Sequence, residues 1–206
     1  MDQKELLELK TAKSLRSIER LIAARWSPYG YSEKPVSKED LAALFEAASW
    51  ASSSFNEQPW RYLVASQADD PAGYERLLGC LMPANQTWAK AAPVLALSVA
   101  KSTFTRNDNP NRVAVHDVGA ASATLTFEAT ARGLVVHQMA GVDLDHARTV
   151  CGVPDGYDIV AALAIGYVAA PDDVPEDLRK RDANPRTRKP LDEFVFSSQW
   201  DDPAAL

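Results

Sequence analysis

Apolar residues recur at three- and four-residue steps through the start of the chain, at Leu6, Leu9, Leu15, Ile18, Leu21 and Ile22. That period predicts one helix from about Gln3 to Ala24. Pro28, Gly30 and Pro35 break it in RWSPYGYSEKP, where no regular helix can continue. Ser37 is placed as an N-cap, with Asp40 three residues on, and Leu41, Leu44, Phe45 and Ala48 form the apolar stripe of a helix reaching Trp50. A strand pattern follows at 61–66. Short helical patterns occupy Pro71 to Leu81 and Asn85 to Lys90. A run apolar on both faces at 93–101 predicts a buried strand, and TRNDNPN at 105–111 predicts a loop.

The longest helix is expected from about Arg112 to Arg132, with Gly133 as its C′ residue. Its middle, GAASATLT at 119–126, is nearly all small residues; a buried core helix and a close helix–helix subunit contact both suit that pattern. Strands are then expected at 134–139 and 158–168, separated by a short helix from an Asp143 cap to Val150. From Ala170 the chain changes character, with five prolines, a basic cluster at 179–189, and apolar residues again at 194–196 and Trp200. This reads as an arm docked on something. Short strands alternating with helices predict an α+β fold, a mixed sheet flanked by helices. The 206 residues fit one domain, with residues 1–16 as a helical extension and 170–206 as the C-terminal arm.

A net charge of −6 argues against a nucleic-acid surface. The apolar run AAPVLALSVA at 91–100 is too short to span a membrane. The N-terminus lacks the apolar stretch of a signal peptide, so the expectation is a cytoplasmic protein with its two cysteines, Cys80 and Cys151, as reduced thiols. No zinc spacing, glycine-rich dinucleotide turn, phosphate loop, HExxH or GxSxG is present. His116, His137 and His146 have no metal spacing and read as core or surface residues.

What remains is four polar islands in an apolar frame: ARWSPYGYS at 24–32, SSSFNEQPW at 52–60, HQMAG at 137–141, and RTRKP at 186–190. Arg25, Arg186 and Arg188 are guanidinium forks suited to phosphate oxygens, with Ser27 as a further donor. If the islands converge, they make a phosphate clamp without a glycine loop.

SSSFNEQPW resembles the P-S-S-x-N-x-Q-P-W segment of the nitroreductase superfamily. Ser53, Ser54, Asn56, Gln58, Pro59 and Trp60 match, and Ser52 replaces the proline. The first island resembles the family's R-R-S-x-R-x-F run, with Arg25 and Ser27 matching and Trp26 and Tyr29 departing; HDVGAASATLTFEATARGL resembles its long dimer helix, with Asp117, Gly119 and Gly133 in place. The likeness runs from about Ser17 to Phe196. It implies a homodimer with FMN at the interface, NADH or NADPH as electron donor, a small-molecule acceptor such as a nitroaromatic, quinone or enone, and a flavin that carries the chemistry without a catalytic side chain. The implied cofactor contacts are Arg25, Trp26, Ser27, Tyr29, Ser52, Ser53, Ser54, Asn56, Asn85, Gln138, Met139, Ala140, Gly141, Arg186 and Arg188, with Ser52–Asn56 reaching the flavin of the other subunit. Ala140 and Gly141 would offer backbone N–H groups near flavin N5 and O4. Phe55 and Trp88 would stack on a planar substrate, a core position being the other reading for Trp88. Tyr29 stands where the family has Arg or Lys, which implies a lower flavin potential. A flavin-delivery protein and a specialised branch resembling reductive dehalogenases are the alternatives.

Overall fold

The run at 93–101 forms the middle of the sheet. β2 (Val94–Lys101) lies between β1 (Trp60–Ser66) and β4 (Tyr157–Gly166), and β3 (Val135–Met139) borders β4, in the order β1-β2-β4-β3. The computed structural model describes residues 1–206. The fold is α+β as expected, but every strand pair is antiparallel rather than mixed. The short helices between β1 and β2, and between β3 and β4, cover the sheet instead of acting as parallel crossovers.

Successive side chains of β2 enter different cores. Val94, Ala96 and Ala100 meet Leu44 of α3 (Lys38–Ser49) and Val118 and Leu125 of α6 (Ala114–Ala131). Leu95, Leu97 and Val99 meet Tyr74 of α4 (Pro71–Gly79), Trp88 of α5 (Pro83–Ala89) and Ala147 of α7 (Leu144–Cys151). Both faces are covered, which explains why the strand is apolar throughout rather than alternating. Ser98 pairs with Ala161 and Val99 with Ile159, so Val160 is the extra residue of a bulge. Ser37 caps α3, its Oγ accepting the Asp40 N–H at 3.0 Å, and Gly133 follows α6 at φ +74°, the left-handed turn expected of a C′ glycine.

The two ends of the chain depart from expectation. The single helix expected over Gln3 to Ala24 is two pieces, α1 (Gln3–Lys10) and α2 (Arg20–Ala24). Leu6 is buried, whereas Leu15, Ile18, Leu21 and Ile22 are exposed. The apolar period therefore marks a surface of the subunit and not one continuous core face.

The tail contains an unexpected helix, α8 (Glu176–Asp182). Its last residue, Asp182, is buried, and its carboxylate accepts the N–H groups of Tyr29 at 3.0 Å and Gly30 at 3.0 Å. A side chain on Gly30 would lie 2.5 Å from a Val174 methyl, so the segment and the tail pack at backbone distance. Just beyond this helix Asn184 and Arg186 meet Lys10 and Ala23, and from Pro190 on the arm folds on itself. Phe196 bridges Pro203 and packs on Trp200 with centroids 5.2 Å apart, leaving Trp200 84% exposed on its own subunit. No helix is long and apolar enough to cross a membrane.

Asp182→Ala strands two backbone donors where water is excluded. Thermal and denaturant unfolding are expected to show a loss of roughly 2–3 kcal/mol; a variant as stable as the parent would show that Asp182 does not anchor this segment.

Candidate functional site

The sheet separates the polar islands into two groups. Tyr31 bridges Val168, just beyond the end of β4. Trp60 pairs with Ala100, which pairs with Asp158 near the start of β4. Ten residues separate Asp158 from Val168, which at ~3.3 Å per residue is roughly 30 Å. Island 24–32 and turn 52–58 thus stand at opposite ends of one subunit.

Three islands do converge at the Tyr31 end. The Arg25 guanidinium donates to Ser27 Oγ at 3.3 Å. Burial lowers its pKa, as does the nearby Arg188. Burial lowers that of Arg186 too, followed by the charges of Arg25 and Arg188. Arg186 spends one nitrogen on the carbonyls of Lys10 and Ala23, both at 2.7 Å. None of the three pairs with a carboxylate. His137 joins the third island to the first: its Nδ1 meets the Pro28 carbonyl at 2.8 Å, an atom that can only accept, so Nδ1 carries the proton. Burial, and then the Arg25 charge, hold the imidazole below its usual range and therefore neutral at pH 7.

Where β3 ends, neither Ala140 nor Gly141 donates its backbone N–H within the subunit. The Gly141 carbonyl is held by Met82 N–H at 2.9 Å and Asn85 Nδ2 at 3.2 Å. A side chain on Gly141 would come within 2.4 Å of that Asn85 amide. Two free backbone donors thus stand in a close-packed corner at the end of β3.

Several anticipated side chains are placed differently. Trp88 is 1% exposed, among the rings of Tyr29, Tyr31 and His137, so a substrate cannot stack on it. Its role is to support Tyr29, which it meets edge-on at 5.1 Å. Trp26 is buried beneath Lys10, whose Nζ lies 4.9 Å from the ring, so its ring packs instead of lining the site. Met139 is buried, and Gln138 turns its amide to Thr126 Oγ1 at 3.2 Å. Sequence reasoning missed Lys10, Arg181 and Asp182. The buried Lys10 Nζ donates to the Asn184 carbonyl at 2.7 Å, and the Arg181 guanidinium lies 5.0 Å over the Tyr29 ring. The only sequence signal was a single acid, Asp182, inside the basic run at 179–189.

At the opposite end, the 52–58 turn is braced from within. The buried Asp117 carboxylate accepts the Ser54 N–H at 3.0 Å, and Ser53 Oγ accepts the Gln58 N–H at 3.0 Å. Ser53 therefore closes the turn. No hydrogen bond engages Ser52 Oγ, Ser54 Oγ or the Asn56 amide within the subunit. Phe55 is 70% exposed.

These features agree with comparisons to known proteins. An uncharacterized 15.4 kDa protein of Mycolicibacterium smegmatis is 36% identical over 139 residues, 68% of this chain and 90% of its own. The major NAD(P)H-flavin oxidoreductase of Aliivibrio fischeri is 26% identical over 201 residues, 79% of this chain and 89% of its own. A crystal structure described as an oxidoreductase containing FMN superposes with a TM-score of 0.84 at 31% identity, covering 91% of this chain and 95% of that one. The sequence profile described as Nitroreductase family matches residues 22–167. The chain belongs to the nitroreductase family and is an oxidoreductase.

Proposed function

We propose that two copies of this chain form a homodimer that binds one FMN per subunit at the interface and uses NADH or NADPH to reduce small planar acceptors. The observation that carries this reading is the gathering of Arg25, Arg186 and Arg188 without a carboxylate partner. Mutually repelling guanidinium groups at a half-buried site gain by taking up a dianion, and phosphate matches their forks. The two unpaired N–H groups of Ala140 and Gly141 fit a ring system with acceptor atoms at its edge. The residues present therefore suit FMN.

In this reading Arg25, Arg186 and Arg188 hold the phosphate, and Ser27 keeps Arg25 in place. Ala140 and Gly141 direct donors at the ring edge, a role a fixed backbone performs without reorganising. Asn85 fixes that corner through the Gly141 carbonyl. His137, neutral and protonated on Nδ1, holds the Pro28 carbonyl. Bound FMN supplies the hydride chemistry between nicotinamide donor and acceptor. The chain provides binding, orientation and exclusion of water.

Distance supports a second subunit in this reading. Ser52, Ser54 and Asn56 have free polar groups but stand at the far end of their own sheet. In this reading their contact with the same FMN comes across an interface. Exposed apolar residues supply one: Ile18, Leu21 and Ile22 at α2, Val115 on α6, and Trp50, which is 80% exposed. On α6, Val115, Gly119 and Ala123 lie on one face at four-residue spacing.

The first test is the visible spectrum of the purified protein, followed by NAD(P)H oxidation with a quinone. About one FMN per subunit and turnover with the quinone are expected; FMN without turnover indicates a delivery protein, and failure to bind added FMN removes the reading. Interface contact is tested separately. A side chain at Gly119 meets nothing within 4 Å in its own subunit, so Gly119→Trp is expected to fold but to run as a monomer in light scattering and to lose at least tenfold in FMN affinity. A dimeric variant with normal FMN affinity would place the interface elsewhere. Tyr29 brings no charge, although Arg181 approaches its ring. Tyr29→Lys is expected to raise the potential of bound FMN and Arg181→Gln to lower it; potentials unmoved in both would remove electrostatic control from this edge.

A further inference from the structure

The 52–58 turn holds a feature that cofactor contacts leave unexplained. Phe55, Asn56 and Gln58 have φ of +54°, +55° and +51°. Left-handed backbone is uncommon outside glycine, and phenylalanine has no short polar side chain to relieve it. Such a conformation persists only where neighbouring groups over-determine it, and it marks candidate functional loops. Asp117 and Ser53 supply part of that restraint. Glu57 supplies the rest: its carboxylate accepts the Thr105 N–H at 2.9 Å and lies 3.8 Å from Lys101 Nζ. The 102–111 loop is thereby tied to the turn.

That loop delivers two side chains to Phe55. Phe104 meets it edge-on with centroids 5.8 Å apart. The Arg106 guanidinium lies 3.9 Å from the Phe55 ring centroid and 5.5 Å from that of Phe104. Arg106 is exposed, and no acid pairs with it. Glu57, the carboxylate that ties this loop to the turn, is already engaged by Thr105 and Lys101. A guanidinium stacked by its face keeps the N–H groups around its edge available. The result is an exposed ring fixed beside a free, planar cation.

We propose that Arg106, held on Phe55, selects planar acceptors bearing an anionic group, such as aromatic carboxylates or sulfonates. The ring of the acceptor lies against Phe55 and its anion meets the edge of the guanidinium. The proposal rests on the reading that this turn faces bound FMN. Phe104 and Glu57 are positioning residues: one restrains the rings, the other ties the two loops together.

The test compares 4-nitrobenzoate with 4-nitrobenzamide, which share ring and shape and differ in charge. The parent enzyme is expected to favour the carboxylate in kcat/KM, with the preference shrinking as salt rises. In Arg106→Gln the carboxylate-to-amide ratio is expected to fall about tenfold, mainly through KM, with FMN content checked in parallel; Arg106→Lys keeps the charge without the stacked fork and is expected to fall between. A ratio unchanged in Arg106→Gln overturns the proposal. Calorimetric titration with benzoate gives a readout independent of turnover: benzoate binding lost in Arg106→Gln supports the anion site, and equal binding in parent and variant overturns it. Failure of the broader reading shows itself differently, as absence of bound FMN and of quinone reduction.

Discussion

Strand β4 is ten residues long, and the polar segments of the chain are fixed to its two ends. Near its start, through Ala100 and Trp60, lies the turn with Ser52, Ser54 and Asn56; just past its far end, through Val168 and Tyr31, lies the segment with Arg25 and Ser27. The antiparallel pairing fixes that separation, because a one-residue slip would turn every buried side chain of β2 to the wrong core. A sheet buried on both faces thus holds the two polar segments apart. Small residues along α6 and exposed apolar groups at α2 and Trp50 are the complement to that separation in the proposed dimer. In that dimer, as proposed, the surface that joins the subunits also completes the site.

Electrostatics at the arginine end favour occupation by an anion. Burial lowers the pKa values of Lys10, Arg25 and Arg186, and the arginines also repel one another. Asp182 is the buried acid beside Lys10, and its own pKa is raised by burial. Its two carboxylate oxygens are already engaged by the Tyr29 and Gly30 N–H groups. It shapes the segment without neutralising the forks. A dianion bound there relieves the repulsion between guanidinium groups, and any ligand that binds only the folded form adds to its stability. In the proposed reading the same segment links tail packing, fold stability and cofactor retention.

The main helices and all four strands were legible because their periods are strong: β2 and β4 as long apolar runs, α3 through its Ser37 cap, α6 through its length and Gly133. What stayed hidden depends on contacts distant in sequence. The period from Leu6 to Ile22 gave one helix, yet the chain breaks after Lys10 because those leucines and isoleucines do not share one buried face. Asp182 could not be recognised as an anchor, since its partners lie 152 and 153 residues away. Trp88 illustrates the converse. A tryptophan near a polar island suits a ligand platform, but this ring fills the core behind Tyr29 and His137. Sequence pattern identified which segments carry polar chemistry; only packing separated residues facing the site from those supporting it.

The density of polar groups in SSSFNEQPW has a physical explanation in two parts. Some of them build the turn: Ser53 Oγ and the Ser54 N–H close it, and Glu57 ties it to the 102–111 loop. Others are left free: Ser52 Oγ, Ser54 Oγ and the Asn56 amide have no partner in their own subunit. The first group makes the second useful. A left-handed Phe55 and Asn56 would relax in a mobile loop, and restraint from Asp117, Ser53 and Glu57 holds them in that conformation. Preorganisation of this kind lowers the cost of ordering donors and rings on binding. The strain in the turn is thus the local expense of presenting three polar groups and one aromatic face in a fixed direction.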